Sequence, residues 1–427
     1  MYCAYVTRLK NVQKMENADR LLTAECYGNQ VIVSINYKEG ELGVYFPTDG
    51  QLGEHFCQVN DLVRRKDENG NSAGGYLDPD KRNIRALKLR GERSEGLWLP
   101  ISCLDYLGVE LREGDTVTAL NGEVICKKYI PRRNPSRTAG AHGKQKKNKK
   151  TYNFVFPEHV DTLQLAYNLN NFKPGDRIVI TEKMEGTSHR SARVLEKKTN
   201  WFRKLFHLSP KTEWKDVCGS RRVTLEEKNN DGGFYGTNDF RFAVHEKIKP
   251  WLVDGMEVFA EIVGWPGPGM LPLMGETDTT CLNNKEFTKE YGKKMVFSYG
   301  CPEGTFDFYV YRICLLDDDG TVKVEFSTEQ IVEYCAKAGW KHVPILYRGM
   351  LGDSPAEEVE KLAKEYCDGP STIGHNWREG CVIRRDNGES KFDVYKHKNF
   401  AFKMMRGLAT EKMQTEGLSE DIIEEMA

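Results

Sequence analysis

Apolar and polar positions alternate in short segments over the first 130 residues: Arg20 to Tyr27, Gln30 to Ile35, Leu42 to Pro47, Ile84 to Leu89 and Thr116 to Leu120. A period of two puts the apolar side chains on one face of a strand, and the glycines that interrupt these segments mark turns. Several short strands at this spacing predict a small β-barrel. From residue 151 the pattern changes. Apolar positions recur at helical spacing near 161–170, 327–338 and 355–367, and in strand-like runs at 176–182, 256–263, 306–316 and 380–385. The chain therefore reads as α+β, with a β-barrel domain over 1–130 and a mixed α/β domain over 151–427. The last residues, Gly407 to Ala427, read as an acidic amphipathic helix that packs or caps.

Between the two domains, residues 131–150 carry eight Lys or Arg, no acid and almost no apolar side chain. Such a run buries too little surface to fold alone and reads as a linker. Phosphate contact, a bare solvated tether and a nuclear-import signal all stay open for it. The whole chain carries a formal net charge of -1, so any nucleic-acid contact must come from local basic patches and not from global attraction. Its twelve cysteines are scattered singly and do not cluster with the nine histidines, which argues against a zinc site and a secreted disulfide framework. The first residues lack a charged-then-apolar leader and no apolar run reaches membrane-spanning length, so the expected setting is the cytosol or nucleus, without membrane contact.

The chemistry starts at residues 178–190, Ile-Val-Ile-Thr-Glu-Lys-Met-Glu-Gly-Thr-Ser-His-Arg. A lysine follows a β-branched run, then a carboxylate and a glycine. The strand would fix the Lys183 backbone, and Gly186 would let the chain turn sharply close to a bound nucleotide. Downstream, Cys218-Gly219-Ser220-Arg221-Arg222 offers guanidinium groups, whose fork suits phosphate. The strand Val258-Phe259-Ala260-Glu261-Ile262-Val263 ends in a Gly/Pro turn, and Phe308-Tyr309-Val310-Tyr311-Arg312-Ile313 places aromatics in an alternating strand. Arg378-Glu379-Gly380-Cys381 supplies a carboxylate at a strand start, and Val394-Tyr395-Lys396-His397-Lys398-Asn399-Phe400 puts two lysines on one strand face. Singly, each is as well read as a surface carboxylate, a core aromatic or a solvated edge.

In this order, over about 155–403, the series resembles the covalent nucleotidyltransferases, and within them the nick-sealing RNA ligases of the RNA ligase 2 type. The likeness lies in Thr-Glu-Lys at 181–183, Gly-Pro-Gly after Glu261, and Asn399-Phe400 after the two lysines. Asn17-Ala18-Asp19-Arg20-Leu21 and the strand after it resemble the opening of OB-type RNA-binding domains, as in the branch of RNA ligases with its OB domain first. A β-domain that merely packs on its neighbour is the other reading of 1–130.

The resemblance implies an ATP-dependent RNA ligase that seals 3′-OH/5′-phosphate nicks through AMP carried on Lys183. A free lysine amine is protonated at neutral pH, so Lys183 needs nearby cations to shed its proton, and Lys396, Lys398 and a divalent metal would supply them. Magnesium or manganese would be held by Glu185, Glu261 and Glu379, mostly through water. Tyr311 would stack on adenine, Glu182 would contact the base or its edge, Ser188 would serve later steps, and Arg221 would meet the nucleotide or the RNA 5′ phosphate. Glu261 holds either the metal or the ribose. The expected partner is RNA, as a nicked duplex with RNA on the 3′-OH side. Two positions depart from the pattern: Glu185 where many relatives have Asp or His, and Arg312 where the family often has Asp. Residues 201–208, Trp-Phe-Arg-Lys-Leu-Phe-His-Leu, read either as a duplex clamp or as an apolar helix.

Three rivals are weighed. DNA ligases and GTP-using capping enzymes share the lysine chemistry but place an OB domain after the last lysine motif, and the 29 residues after Lys398 are too few for one. A non-catalytic RNA-binding protein with a degenerate transferase domain is the third. Retention of Lys183, Glu379, Lys396 and Lys398 argues against it.

Overall fold

The computed structural model describes residues 2–16, 18–66, 68, 72–129, 152–159, 161–198, 205–206, 209–227, 234–388 and 393–412. The linker read over 131–150, most of 201–208 and residues 413–427 lie outside them. The chain forms two compact units: Met1–Arg132 with Lys403–Glu411, and Arg133–Phe402 with Lys412–Ala427.

The first unit is built on a five-stranded antiparallel sheet in the order Thr116–Val117, Ala4–Arg8, Leu42–Pro47, Glu92–Pro100, Ala86–Leu89. A three-stranded meander, Lys10–Lys14, Leu21–Cys26 and Asn29–Ser34, completes it. Burial alternates along Asn29–Ser34, the central strand Leu42–Pro47 is buried on both faces, and Val6, Val44, Phe46, Leu52, Phe56 and Val117 make an apolar core. Lys403 belongs with this unit, donating to Glu95 Oε2 at 2.5 Å.

The second unit holds two sheets. A five-stranded sheet runs Leu163–Gln164, Val394–Lys398, Gly380–Arg385, Arg177–Lys183, Ile345–Met350. Helix Pro355–Cys367 covers it, burying Val359, Ala363 and Cys367 against Ile178, Ile180, Ile383 and Tyr395. A seven-stranded sheet runs Thr224–Leu225, Lys211–Gly219, Thr187–Lys198, Met256–Gly264, Phe306–Leu316, Val322–Glu325, with Lys341–His342 alongside Phe306–Leu316. Helix Thr328–Ala338 starts where Ser327 and Gln330 form a reciprocal capping box and stops at Gly339 in the left-handed region, φ 70°.

The helix expected over 161–170 is not there. Leu163–Gln164 instead pairs in parallel with Tyr395–Lys396, and two 3-10 turns follow, Leu165–Tyr167 and Leu169–Asn171. Leu163, Leu165, Tyr167 and Leu169 fit a period of two as well as a helical one, and the ladder beside Lys396 decides between them. The expected tail helix is met in part: Phe400–Lys412 is helical. All twelve cysteines are free, and among the described residues no helix is long and apolar enough to cross a membrane.

Candidate active site

Lys183 is the last residue of its strand, and the ladder sets Lys183, Gly380 and Lys398 side by side across three strands. Gly380 is obligatory there, because a Cβ would lie 2.1 Å from the His397 carbonyl oxygen. Glu379, 1% exposed, accepts from Lys183 Nζ at 2.9 Å and from Lys398 Nζ at 2.9 Å. Burial opposes its charge, but the two ammonium groups prevail and pull the carboxyl down to about 2. Lys396 lies two residues before Lys398 on the same face. Burial, reinforced by Lys398, Lys183 and Arg221, drives its amine down to about 8.

Past Lys183 the chain crosses to the other sheet. Residues 184–186 belong to no strand, and Thr187 begins the strand paired with Met256–Gly264. That crossing shows what Gly186 is for: a Cβ would lie 2.5 Å from Ile262 O and 2.8 Å from Glu261 Cγ, so the close approach is to the neighbouring strand. Ser188 pairs with Glu261, and Glu261 with Tyr309. The Ser188 hydroxyl is buried without a hydrogen-bond partner. Buried Arg241 donates to the Ser188 carbonyl and, at 2.7 Å, to Thr187 Oγ1, which fixes this strand start.

Arg221 donates to Asp161, and the Arg221 carbonyl accepts from the His159 amide at 3.1 Å. The His159 ring stands edge-on to Tyr311 and Phe259, at centroid distances of 5.7 and 5.6 Å. Burial and the neighbouring Arg221, Arg312 and Arg190 keep that imidazole neutral, at about 3. His159 and Asp161 thus lie between Arg221 and the Tyr311 ring.

Three further side chains have defined surroundings. The Glu182 carboxylate, 1% exposed, accepts from Ser371 Oγ at 2.6 Å and from Thr372 N and Oγ1 at 3.0 and 2.9 Å. Arg312, the departure from the family pattern, makes a buried two-pronged pair with Glu325 at 2.9 and 3.0 Å. Among the described residues no three His, Cys, Asp or Glu side chains converge on one point, and Glu379 bridges two lysines. Half-buried Glu185 and Glu261 remain as hard oxygen donors. That set suits an ion such as magnesium or manganese that keeps most of its waters.

Sequence reasoning missed Tyr299, Asn376 and Arg241. None carries a local signal, because each acts through partners far along the chain. Asn399 shapes the backbone, accepting from Phe402 N at 2.6 Å and so starting the last helix.

The family model for RNA ligases matches residues 176–404, from the strand bearing Lys183 to the helix after Lys398. The chain belongs to the RNA ligase family. An OB-fold domain model matches residues 3–101 of this ligase, within its first unit. No curated protein matches its sequence. Among solved structures, it is similar to an RNA ligase of Naegleria gruberi with pyrophosphate, at 18% identity over 93% of this chain and 97% of that one, TM-score 0.58. Mutants of the Naegleria enzyme solved with AMP and Mn, or with ATP and Mn, match at 18% and 17% identity, each over 94% of this chain and 97% and 98% of theirs, TM-score 0.57. At such identities the likeness is one of fold.

Proposed function

We propose that this RNA ligase uses ATP to seal 3′-OH/5′-phosphate nicks, with AMP carried on Lys183 in between. The observation that carries the reading is the Lys183–Glu379–Lys398 bridge with the depressed amine of Lys396 beside it. Clustered cations around one lysine at a strand end are what attack on a polyphosphate needs.

In the first step the neutral amine of Lys183 attacks the α-phosphorus: an N–P bond forms, the bond to pyrophosphate breaks, and a proton leaves Nζ. Once neutral, the Lys183 amine can donate one N–H to Glu379 and still turn its lone pair toward the phosphorus. Glu379, held near about 2, is too weak a base to take that proton. It orients the amine and keeps Lys398 in place. Lys396 and Lys398 face the charge that builds on the α-phosphate. A divalent ion held by Glu185 or Glu261 through water would add charge neutralisation at the phosphates.

In the second step a phosphate oxygen of the RNA 5′ end attacks the same phosphorus and Lys183 leaves, regaining its proton. In the third, the 3′ hydroxyl attacks the 5′ phosphorus and AMP leaves. Tyr311 would carry the adenine and Arg221 a phosphate; the Naegleria structures with ATP, AMP, pyrophosphate and Mn support this choice of nucleotide and ion.

The test is incubation with α-labelled ATP, and separately GTP, with magnesium or manganese, followed by denaturing electrophoresis of wild type and Lys183→Ala. A band with ATP that the variant lacks supports the reading, and nicked duplexes then test sealing. Labelling by GTP would point to a capping-type enzyme, and no label at all to a non-catalytic RNA-binding protein.

A further inference from the structure

Lys183 is held from both sides by one loop. Glu182, just before it, is clamped by Ser371 and Thr372. Two residues after it, the Glu185 amide lies in the crossing between the sheets, where no ladder supplies an acceptor. Its partner is the phenol oxygen of Tyr299, at 2.6 Å.

Tyr299 itself sits in an unusual state. It is 2% exposed and has φ 49°, the left-handed region that a bulky side chain seldom adopts. Its amide donates to Asn376 Oδ1 at 3.1 Å, and Asn376 is fully buried. Gly374 lies against the same turn so closely that a Cβ there would be 2.2 Å from Gly300 N and 2.6 Å from Tyr299 C. Residues 371–376 thus grip Glu182 directly and Glu185 through Tyr299. Three residues after Asn376 the same segment presents Glu379, the carboxylate that accepts from Lys183.

We propose that Tyr299, locked by Asn376, is a positioning residue for the nucleophile: its phenol oxygen fixes the backbone after Lys183 so that Nζ meets the α-phosphorus in line. The inference rests on the lysyl-AMP reading above. It separates the steps of the reaction. Forming lysyl-AMP needs an exactingly placed Lys183, whereas sealing RNA that already carries AMP on its 5′ end uses the same pocket without the nucleophile. Loss of the hydrogen bond should therefore slow the first step and spare the last.

The experiment compares wild type, Tyr299→Phe, Asn376→Ala and Lys183→Ala in two assays on the full chain: the single-turnover rate of protein labelling by α-labelled ATP, and sealing of a nick with a pre-adenylylated 5′ end. Tyr299→Phe keeps the ring and removes the acceptor. The expected result is a fall of about tenfold or more in the labelling rate at saturating ATP, with KM for ATP and pre-adenylylated sealing near wild type. Unchanged labelling, or equal losses in both assays by a Tyr299→Phe protein that melts like wild type, overturns the proposal. If Tyr299→Phe loses both because it folds poorly, Asn376→Ala decides, since it keeps the phenol and removes the bonds from the Asn376 side chain to Tyr299 N and Trp377 O; the same split supports the proposal and equal losses overturn it. Labelling that persists in Lys183→Ala would instead sink the underlying lysyl-AMP reading.

Discussion

Lys396 lends itself best to a quantitative test. Its amine falls from 10.5 to about 8 through burial and through Lys398, Lys183 and Arg221. At about 1.4 kcal/mol per pH unit, that drop is about 3 kcal/mol stored against the charged form, somewhat less once solvent reaches the half-buried side chain. Because the folded value is the lower one, the unfolded chain binds the extra proton between about 8 and 10.5. The penalty is full below about 8 and gone above 10.5. A polyphosphate in the site would supply the missing negative charge and push the amine back up. ATP binding should thus take up close to one proton at pH about 9 and almost none at about 6.5, read by calorimetry in two buffers of different ionisation heat. In parallel, KM for ATP in protein labelling should rise above about pH 8, and Lys396→Arg, whose guanidinium stays charged, should flatten that rise. No proton uptake at pH about 9, or identical profiles for wild type and Lys396→Arg, would refute the reasoning.

Glu379→Gln leaves two ammonium groups facing each other and should cost about 3 kcal/mol in urea unfolding at about pH 7; since the carboxyl titrates near about 2 instead of 4.5, the gap to wild type should close as pH falls through that window. Asp161→Asn releases Arg221 from its half-exposed partner and should lower KM for ATP by up to about fivefold; an unchanged KM would show that Arg221 does not face the nucleotide. His189 is fully buried, with Nε2 2.9 Å from Ser191 Oγ, which is 2.9 Å from His245 Nδ1. Burial first, then Arg241, holds its proton affinity well below 6.5, so its share of stability is present above 6.5 and lost on acidification. His189→Asn should remove one proton's worth of slope, at most about 1.4 kcal/mol per pH unit, from stability between about pH 7 and 5.

What the sequence made legible was local. Leu42–Pro47, Met256–Gly264, Phe306–Leu316 and Gly380–Arg385 keep apolar side chains in strand-like runs, and helices Thr328–Ala338 and Pro355–Cys367 bury one stripe each. The long hairpin Thr187–Lys198 with Lys211–Gly219 escaped notice because its inward positions include His189, Arg190 and Ser191, so burial there does not look apolar. Lys183, Glu379, Lys396 and Lys398 could be grouped through a resemblance in order and spacing. The roles of Glu182, Arg312 and Tyr299 could not, since their partners lie 189, 13 and 77 or more residues away along the chain.

Lys183 closes one sheet and Gly186 opens the way to the other, so the candidate site residues are drawn from two sheets. Lys183, Glu379, Lys396 and Lys398 sit on or beside the five-stranded sheet, and Ser188, Glu261 and Tyr311 on the seven-stranded one. On the roles proposed above, the base would be held from one sheet and the nucleophile from the other. Changes around Tyr311 would alter which nucleotide is admitted while the lysine cluster keeps its charge and spacing, which makes this fold a tractable starting point for ligases with altered nucleotide choice.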